Sequence, residues 1–145
     1  MKSLKRSTRD LLFLVSLLVA GTSSLVGAAD EPLIAIKRAT VVAFFRPVAQ
    51  KELVNEPDVN EALADFQYYA SKVREPLKKA GVDFREVYAV SFRIRVGNKS
   101  ETFRPSKGVG YYLIEPGKKP RLEDGVMTDI DLFAVVREYF GVVVK

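Results

Sequence analysis

The sequence predicts an α/β fold in which a mixed central sheet is flanked by helices and the chain closes with a β-hairpin and a last helix. Three patterns predict it: apolar residues run almost unbroken over residues 39–45, recur at spacings of three and four over residues 58–80, and alternate with polar residues over residues 84–96. These patterns are typical of a buried strand, an amphipathic helix and a second strand. Strands that alternate with helices favour an α/β sandwich with a mixed sheet.

Residues 1–29 have the organisation of a secretory signal peptide. Four basic residues stand within the first nine positions, an apolar run follows over residues 11–20, and small residues precede a polar start. These are the three parts of such a signal. Small residues occupy the −3 and −1 positions for a cut after either Ala28 or Ala29. The sequence therefore predicts a periplasmic or secreted protein with no stable membrane insertion after cleavage.

An uncleaved membrane anchor is the alternative interpretation of this segment. Residues 11–29 comprise nineteen residues, and a spanning helix needs about 20. Gly21 and three hydroxyl residues in the second half disfavour an anchor. A cytosolic segment that only imitates a signal is the third possibility.

The mature chain is expected to form one domain over residues 39–145, preceded by a lead-in segment, residues 30–38. Three apolar residues between positions 33 and 36 give this segment the potential to add an edge strand. The first strand of the domain, residues 39–45 (ATVVAFF), has the composition of a strand covered on both faces, as in a sheet with helices on both sides. Arg46-Pro47 ends it.

The clearest predicted helix spans residues 58–80. Asp58 and Glu61 have the spacing of a capping box, and Gly81 is typical of the residue that follows a helix. Pro76 is expected to kink or break the last turn and so to divide a long helix from a short one. The stripe expected to face the core consists of Val59, Leu63, Phe66, Ala70, Val73 and Leu77.

Residues 84–96 are predicted to form the second strand, in one uninterrupted piece. The turn signal Gly97-Asn98-Lys99-Ser100 follows, and residues 101–104 have the potential to return as a short strand.

A second hairpin and a helix close the predicted fold. Pro116-Gly117 suits the centre of a type II turn between strands over residues 110–115 and 121–123. The last helix is predicted over residues 128–140, where Thr128 and the carboxylate three residues later make a capping box.

This order of elements resembles the thioredoxin-like fold, which has a buried first strand, a long helix, a second strand, a hairpin and a final helix. The best match is the stretch GVGYYLIEPGKKPRLEDG followed by TDIDLFAVVREYF. The chain departs from the redox members of that family at their catalytic motif. Ala49 and Glu52 stand nearest the two positions of the CxxC, and Val109 stands near that of the cis-proline. The resemblance thus implies a cysteine-less, non-redox member that acts as a binding or accessory module.

Composition excludes several kinds of chemistry. Among 145 residues there is no Cys and no His, which removes thiol–disulfide exchange, disulfides, imidazole catalysis and the usual zinc sites. The net charge of +5 falls to +2 once the signal is removed, which argues against a nucleic-acid partner. No catalytic residue, metal site or cofactor is predicted, and the acidic stretch over residues 123–131 is attributed to helix capping.

Two groups of basic and polar residues are the candidate binding sites. If Asn98-Lys99 is the turn, Arg93 lies opposite Arg104 and Arg95 opposite Thr102, and such a row of like charges suits an anion. A solvated strand face neutralised by Glu86 and Glu101 is the alternative.

The second group is Arg46, Gln50 and Lys51, in the loop over residues 46–56, where the thioredoxin resemblance implies contact with partners. An ordinary strand-to-helix connection is the alternative there.

The leading hypothesis is an exported, non-catalytic domain that binds another envelope protein or a small anionic ligand. The alternative is an envelope enzyme of hydrolase type that uses carboxylate, Lys or Ser chemistry.

Overall fold

The structure, a computed structural model, describes residues 31–47 and 57–145. The proposed signal sequence lies outside these residues. The strands are β1 (Leu33–Ile36), β2 (Thr40–Phe45), β3 (Asp83–Tyr88), β4 (Phe92–Val96), β5 (Lys99–Phe103), β6 (Val109–Ile114) and β7 (Arg121–Asp124), and the helices are α1 (Pro57–Lys79) and α2 (Asp129–Phe140).

The strands form two mixed sheets. A four-stranded sheet has the order β3-β2-β6-β7, with β2 parallel to β3 and antiparallel to β6. A three-stranded sheet has the order β1-β4-β5, in which β1 is parallel and β5 antiparallel to β4. The predicted mixed α/β class is confirmed, whereas the single central sheet is replaced by two. The lead-in segment contributes β1, at the edge of the smaller sheet.

Strand β2 is the centre of the fold, and all six of its residues are buried. Val41, Ala43 and Phe45 face a core shared with both helices. Val42 and Phe44 face the opposite way, into a core shared with the three-stranded sheet. The prediction of helices on both sides of this strand is therefore wrong. An unbroken apolar strand requires cover on both faces, but a sheet covers a face as well as helices do.

The chain crosses between the sheets at residues 89–91, so the single strand predicted over residues 84–96 is wrong. Val87 is buried and so is Phe92, while the intervening Tyr88 and Val90 are exposed. Two buried positions five residues apart cannot share one face of a regular strand, because side chains alternate with a period of two. The backbone therefore leaves the ladder at Ala89-Val90 and starts a new strand in the other layer.

Helix α1 continues through Pro76 to Lys79, so the expected division of the helix does not occur. Leu77, which follows the proline, and Val82, which follows the helix, are fully buried. The Ala80 N–H donates to the Pro76 carbonyl at 3.0 Å. Burial of the last turn thus holds it in helical form despite the missing proline donor.

The C-terminal hairpin and helix agree with the prediction. The Lys118 N–H donates to the Glu115 carbonyl at 3.1 Å across the Pro-Gly turn. Gly117 has φ 84°, as the third residue of a type II turn requires. The Thr128 hydroxyl caps α2 by accepting from the Asp131 N–H, and the glycine after the helix is left-handed.

Candidate functional site

The β4–β5 hairpin determines which side chains lie beside the arginines. Its two-residue turn is Gly97-Asn98, so Arg93 is paired with Thr102 and Arg95 with Ser100. Gly97 has φ 58°, a conformation that a two-residue hairpin turn demands and that glycine adopts without strain. The predicted turn at Asn98-Lys99, and with it the placement of Arg93 opposite an arginine, is therefore wrong.

Arg93 and Arg95 nevertheless share one surface, the outer face of the three-stranded sheet. Residues two apart on a strand point to the same side, about 7 Å from each other. Both arginines are exposed, whereas Phe92 and Ile94 between and beside them point into the core. The flanking strands place uncharged neighbours in register with the arginines: Leu33, Ala35, Ser100 and Thr102. We call these six residues the arginine face.

The glutamates expected to neutralise the arginines lie elsewhere. Glu86 forms an ion pair with Arg74 of α1. Glu101 pairs in register with Ile94, which places its side chain on the inner side of the sheet. Among the described residues, no carboxylate lies within 4.0 Å of either arginine's guanidinium group. The two arginines thus lack an ion-pair partner in the described part of the chain, while the Glu31 carboxylate accepts a hydrogen bond from the hydroxyl of Ser91, two residues before Arg93, at 2.6 Å.

The other predicted site residues are not brought to this face. Arg104 follows the last paired residue of β5 and is exposed, outside the ladder. Arg46 follows β2 in the other sheet, where its backbone N–H donates to the Gly108 carbonyl at 2.6 Å. Gln50 and Lys51 lie outside the described residues.

The acidic stretch over residues 123–131 is occupied by internal contacts. Asp124 pairs with Lys107 at 3.3 Å, and Asp131 accepts a hydrogen bond from the Thr128 hydroxyl at 2.7 Å. No cluster of three potential metal ligands occurs within residues 31–47 and 57–145.

The structure also contains a groove that the sequence did not indicate. It lies between the two sheets and has a volume of about 320 Å³. The rings of Phe103 and Tyr112 stack within it, with centroids 4.5 Å apart. Burial raises the pKa of the Tyr112 hydroxyl, and the negative charge of the nearby Glu101 carboxylate raises it further. We call this cavity the inter-sheet groove; it is lined mainly by Ile94, Val96, Lys99, Glu101, Phe103, Tyr112, Ile114, Glu115 and Lys118.

No protein-family model, curated protein sequence or solved structure matches this chain. Within the part of the chain that the structure describes, neither helix has the length and apolarity needed to cross a membrane. Function must therefore be inferred from the surfaces themselves.

Proposed function

We propose that this protein is an exported, non-catalytic domain of thioredoxin-like fold that binds an acidic segment of another cell-envelope protein through the arginine face. Export rests on the signal-like sequence of residues 1–29. The lack of thiol–disulfide activity rests on the absence of cysteine from the entire sequence.

The order of elements in the larger sheet supports the thioredoxin-like part of the proposal. Helix α1 connects the parallel strands β2 and β3, and the antiparallel hairpin β6–β7 leads into α2. That is the succession of strand, helix, strand, hairpin and helix on which the resemblance depends. The hairpin β4–β5, together with β1, is an addition to this pattern and is also the part that carries the arginine face.

The observation that carries the binding function is the pairing of two exposed arginines without a carboxylate partner among the described residues. Guanidinium groups bind carboxylates and phosphates through paired, charge-assisted hydrogen bonds. The Cα atoms of the two arginines are about 7 Å apart along the strand, so neighbouring carboxylates of one segment can engage both guanidinium groups. An extended acidic peptide supplies carboxylates at comparable spacing, and the exposed side chains of the arginine face are accessible to it.

Fluorescence anisotropy with a labelled peptide of twelve glutamates tests this function. We expect Arg93→Gln/Arg95→Gln to weaken binding at least tenfold. The matched control is Lys78→Gln/Lys79→Gln, which removes two exposed cations from the end of α1 and leaves the sheet intact. Equal losses in the two double variants would show that only net charge matters, and would refute the proposal.

Inorganic phosphate in the same assay separates a protein partner from a small ligand. If an acidic segment is the partner, phosphate competes only at concentrations that act through ionic strength, as sodium chloride does. Competition by phosphate at a hundredfold lower concentration than by chloride would instead identify a small-anion site.

A further inference from the structure

The smaller sheet leaves one strand of the larger sheet uncovered. Phe103 of β5 stacks on Tyr112 of β6, so β5 lies above β6. Strand β7 is the next strand of the larger sheet, and its Leu122 is paired in register with Tyr112. Cross-strand partners point to the same side, so Leu122 faces the layer of the smaller sheet. Its side chain is 40% exposed there, since no described strand lies beyond β5 to cover it.

Strand β5 also presents an unpaired backbone edge. Val96 and Lys99 close the two-residue turn, and such a closing pair exchanges both of its hydrogen bonds. Hydrogen bonding alternates along the strand, so Ser100 and Thr102 direct their N–H and C=O groups away from β4. No described strand pairs with this side of β5. The free edge therefore runs alongside the uncovered part of β7.

The side chains that β5 directs toward the inter-sheet groove form an ordered chemical pattern. Lys99, Glu101 and Phe103 line the groove and are respectively cationic, anionic and aromatic. Within the described residues neither Lys99 nor Glu101 has an ion-pair partner, while the neighbouring Lys118 is paired with Glu115 at 2.7 Å.

We propose that the free edge of β5 takes an extended segment of a partner protein as an antiparallel fourth strand, laid over β7. Strand addition of this kind gains affinity from main-chain hydrogen bonds and specificity from alternate side chains. The segment carries an apolar residue opposite Phe103, a basic residue opposite Glu101 and an acidic residue opposite Lys99. Its pattern is thus apolar-x-basic-x-acidic, with the apolar side chain over Tyr112 and Leu122.

A second folded copy does not fit this position. If β5 paired with β5 of another copy, the copy's β6 would lie beneath its own β5, in the space that β7 already occupies. A single extended segment has no such underlying layer. The side chains that recognise the segment lie on the opposite side of the sheet from the arginine face, and the two surfaces share only the backbone edge at Ser100 and Thr102. Charge exchange at Lys99 and Glu101 therefore tests this inference without altering either arginine.

Two labelled nine-residue peptides test the inference by fluorescence anisotropy. The first, TTVTKTETT, has the proposed pattern; the second, TTVTETKTT, has the same composition with the two charges exchanged. We expect the first to bind about tenfold more tightly, because two favourable cross-strand pairs become two like-charge pairs in the second. The variant Lys99→Glu/Glu101→Lys is expected to reverse this preference. Equal affinities in either protein would overturn the proposed register.

Backbone pairing is tested by Ser100→Pro, with Ser100→Ala as the matched control. Proline removes the N–H that faces the free edge and leaves the ladder with β4 intact. We expect a loss of at least tenfold in affinity for TTVTKTETT with proline and less than twofold with alanine. Binding unchanged by proline would overturn strand addition, and the charge-exchange variant decides the question if the proline variant does not fold. Sedimentation that shows a dimer abolished by Ser100→Pro would overturn it too, in favour of self-association.

Discussion

Gly110 provides the sharpest test of the packing between the strands of the larger sheet. It lies in β6, paired with Phe44 of β2 on one side and with Asp124 of β7 on the other. A Cβ at this position would lie 2.5 Å from the Glu123 carbonyl oxygen and 2.8 Å from Cζ of Phe44. Both separations are shorter than carbon atoms tolerate, so Gly110→Ala forces a neighbour to move.

Neither neighbour can move without cost. The Phe44 ring is 1% exposed and contacts the rings of Phe92 and Phe103, with centroids 6.1 and 5.6 Å away. The Glu123 oxygen belongs to the backbone of β7, and a shift of that strand disturbs the ladder with β6. Adding a methyl group to a well-packed core costs about 1–3 kcal/mol. Because this methyl meets both a ring and a backbone, we expect a loss of about 2–3 kcal/mol in the free energy of unfolding.

Urea unfolding followed by circular dichroism measures this loss. Gly108→Ala is the matched control, since a Cβ there meets no atom within 4 Å and the change is expected to stay within about 0.5 kcal/mol. A Gly110→Ala variant as stable as the wild type, or equal losses in both variants, would refute the packing described between β6, β2 and β7.

Three further predictions concern the helix cap, an ion pair and the signal sequence. Replacement of the capping Thr128 by Ala is expected to cost about 1 kcal/mol in urea unfolding; no loss would contradict the cap. The hydrogen bond from Arg38 Nε, at 2.9 Å, lowers the pKa of the Asp83 carboxyl. Its stabilisation is thus fully present above the unfolded pKa of about 3.9 and is lost as pH falls through the folded value. Asp83→Asn should reduce the drop in stability between pH 5 and pH 2, and an unchanged drop would contradict this. The exported chain should begin at Ala29 or Asp30 on N-terminal sequencing, and a chain that still begins at Met1 would refute cleavage.

Features specified by neighbouring residues could be predicted from the sequence. The turn at Pro116-Gly117 and the cap at Thr128 depend on local backbone preferences, which follow from the residue types at those positions. The buried character of β2 was equally clear, because every one of its residues is apolar or small. Which elements cover β2 could not be predicted, since an apolar helix and an apolar sheet both bury a strand face.

Features that depend on register or on distant segments could not be predicted. The residue opposite each arginine differs between a turn at Gly97-Asn98 and a turn at Asn98-Lys99. Both dipeptides suit a two-residue turn, so the sequence alone does not decide the register. The inter-sheet groove combines β5 of one sheet with β6 of the other, through Phe103 and Tyr112. No local sequence pattern relates these two residues. The groove forms only when the two sheets pack together, so it could not be predicted from the sequence.

The arginine face is the proposed meeting point of this protein with its partner. Site-specific photo-crosslinking in the source cells tests it most directly, with the photoreactive residue at Ala35, an exposed position of that face on the strand farthest from the free edge of β5, or at Tyr68, an exposed side chain on α1. We expect an adduct from position 35 that disappears with Arg93→Gln/Arg95→Gln. An adduct that forms only from position 68, or one from position 35 that survives loss of both arginines, would contradict this assignment.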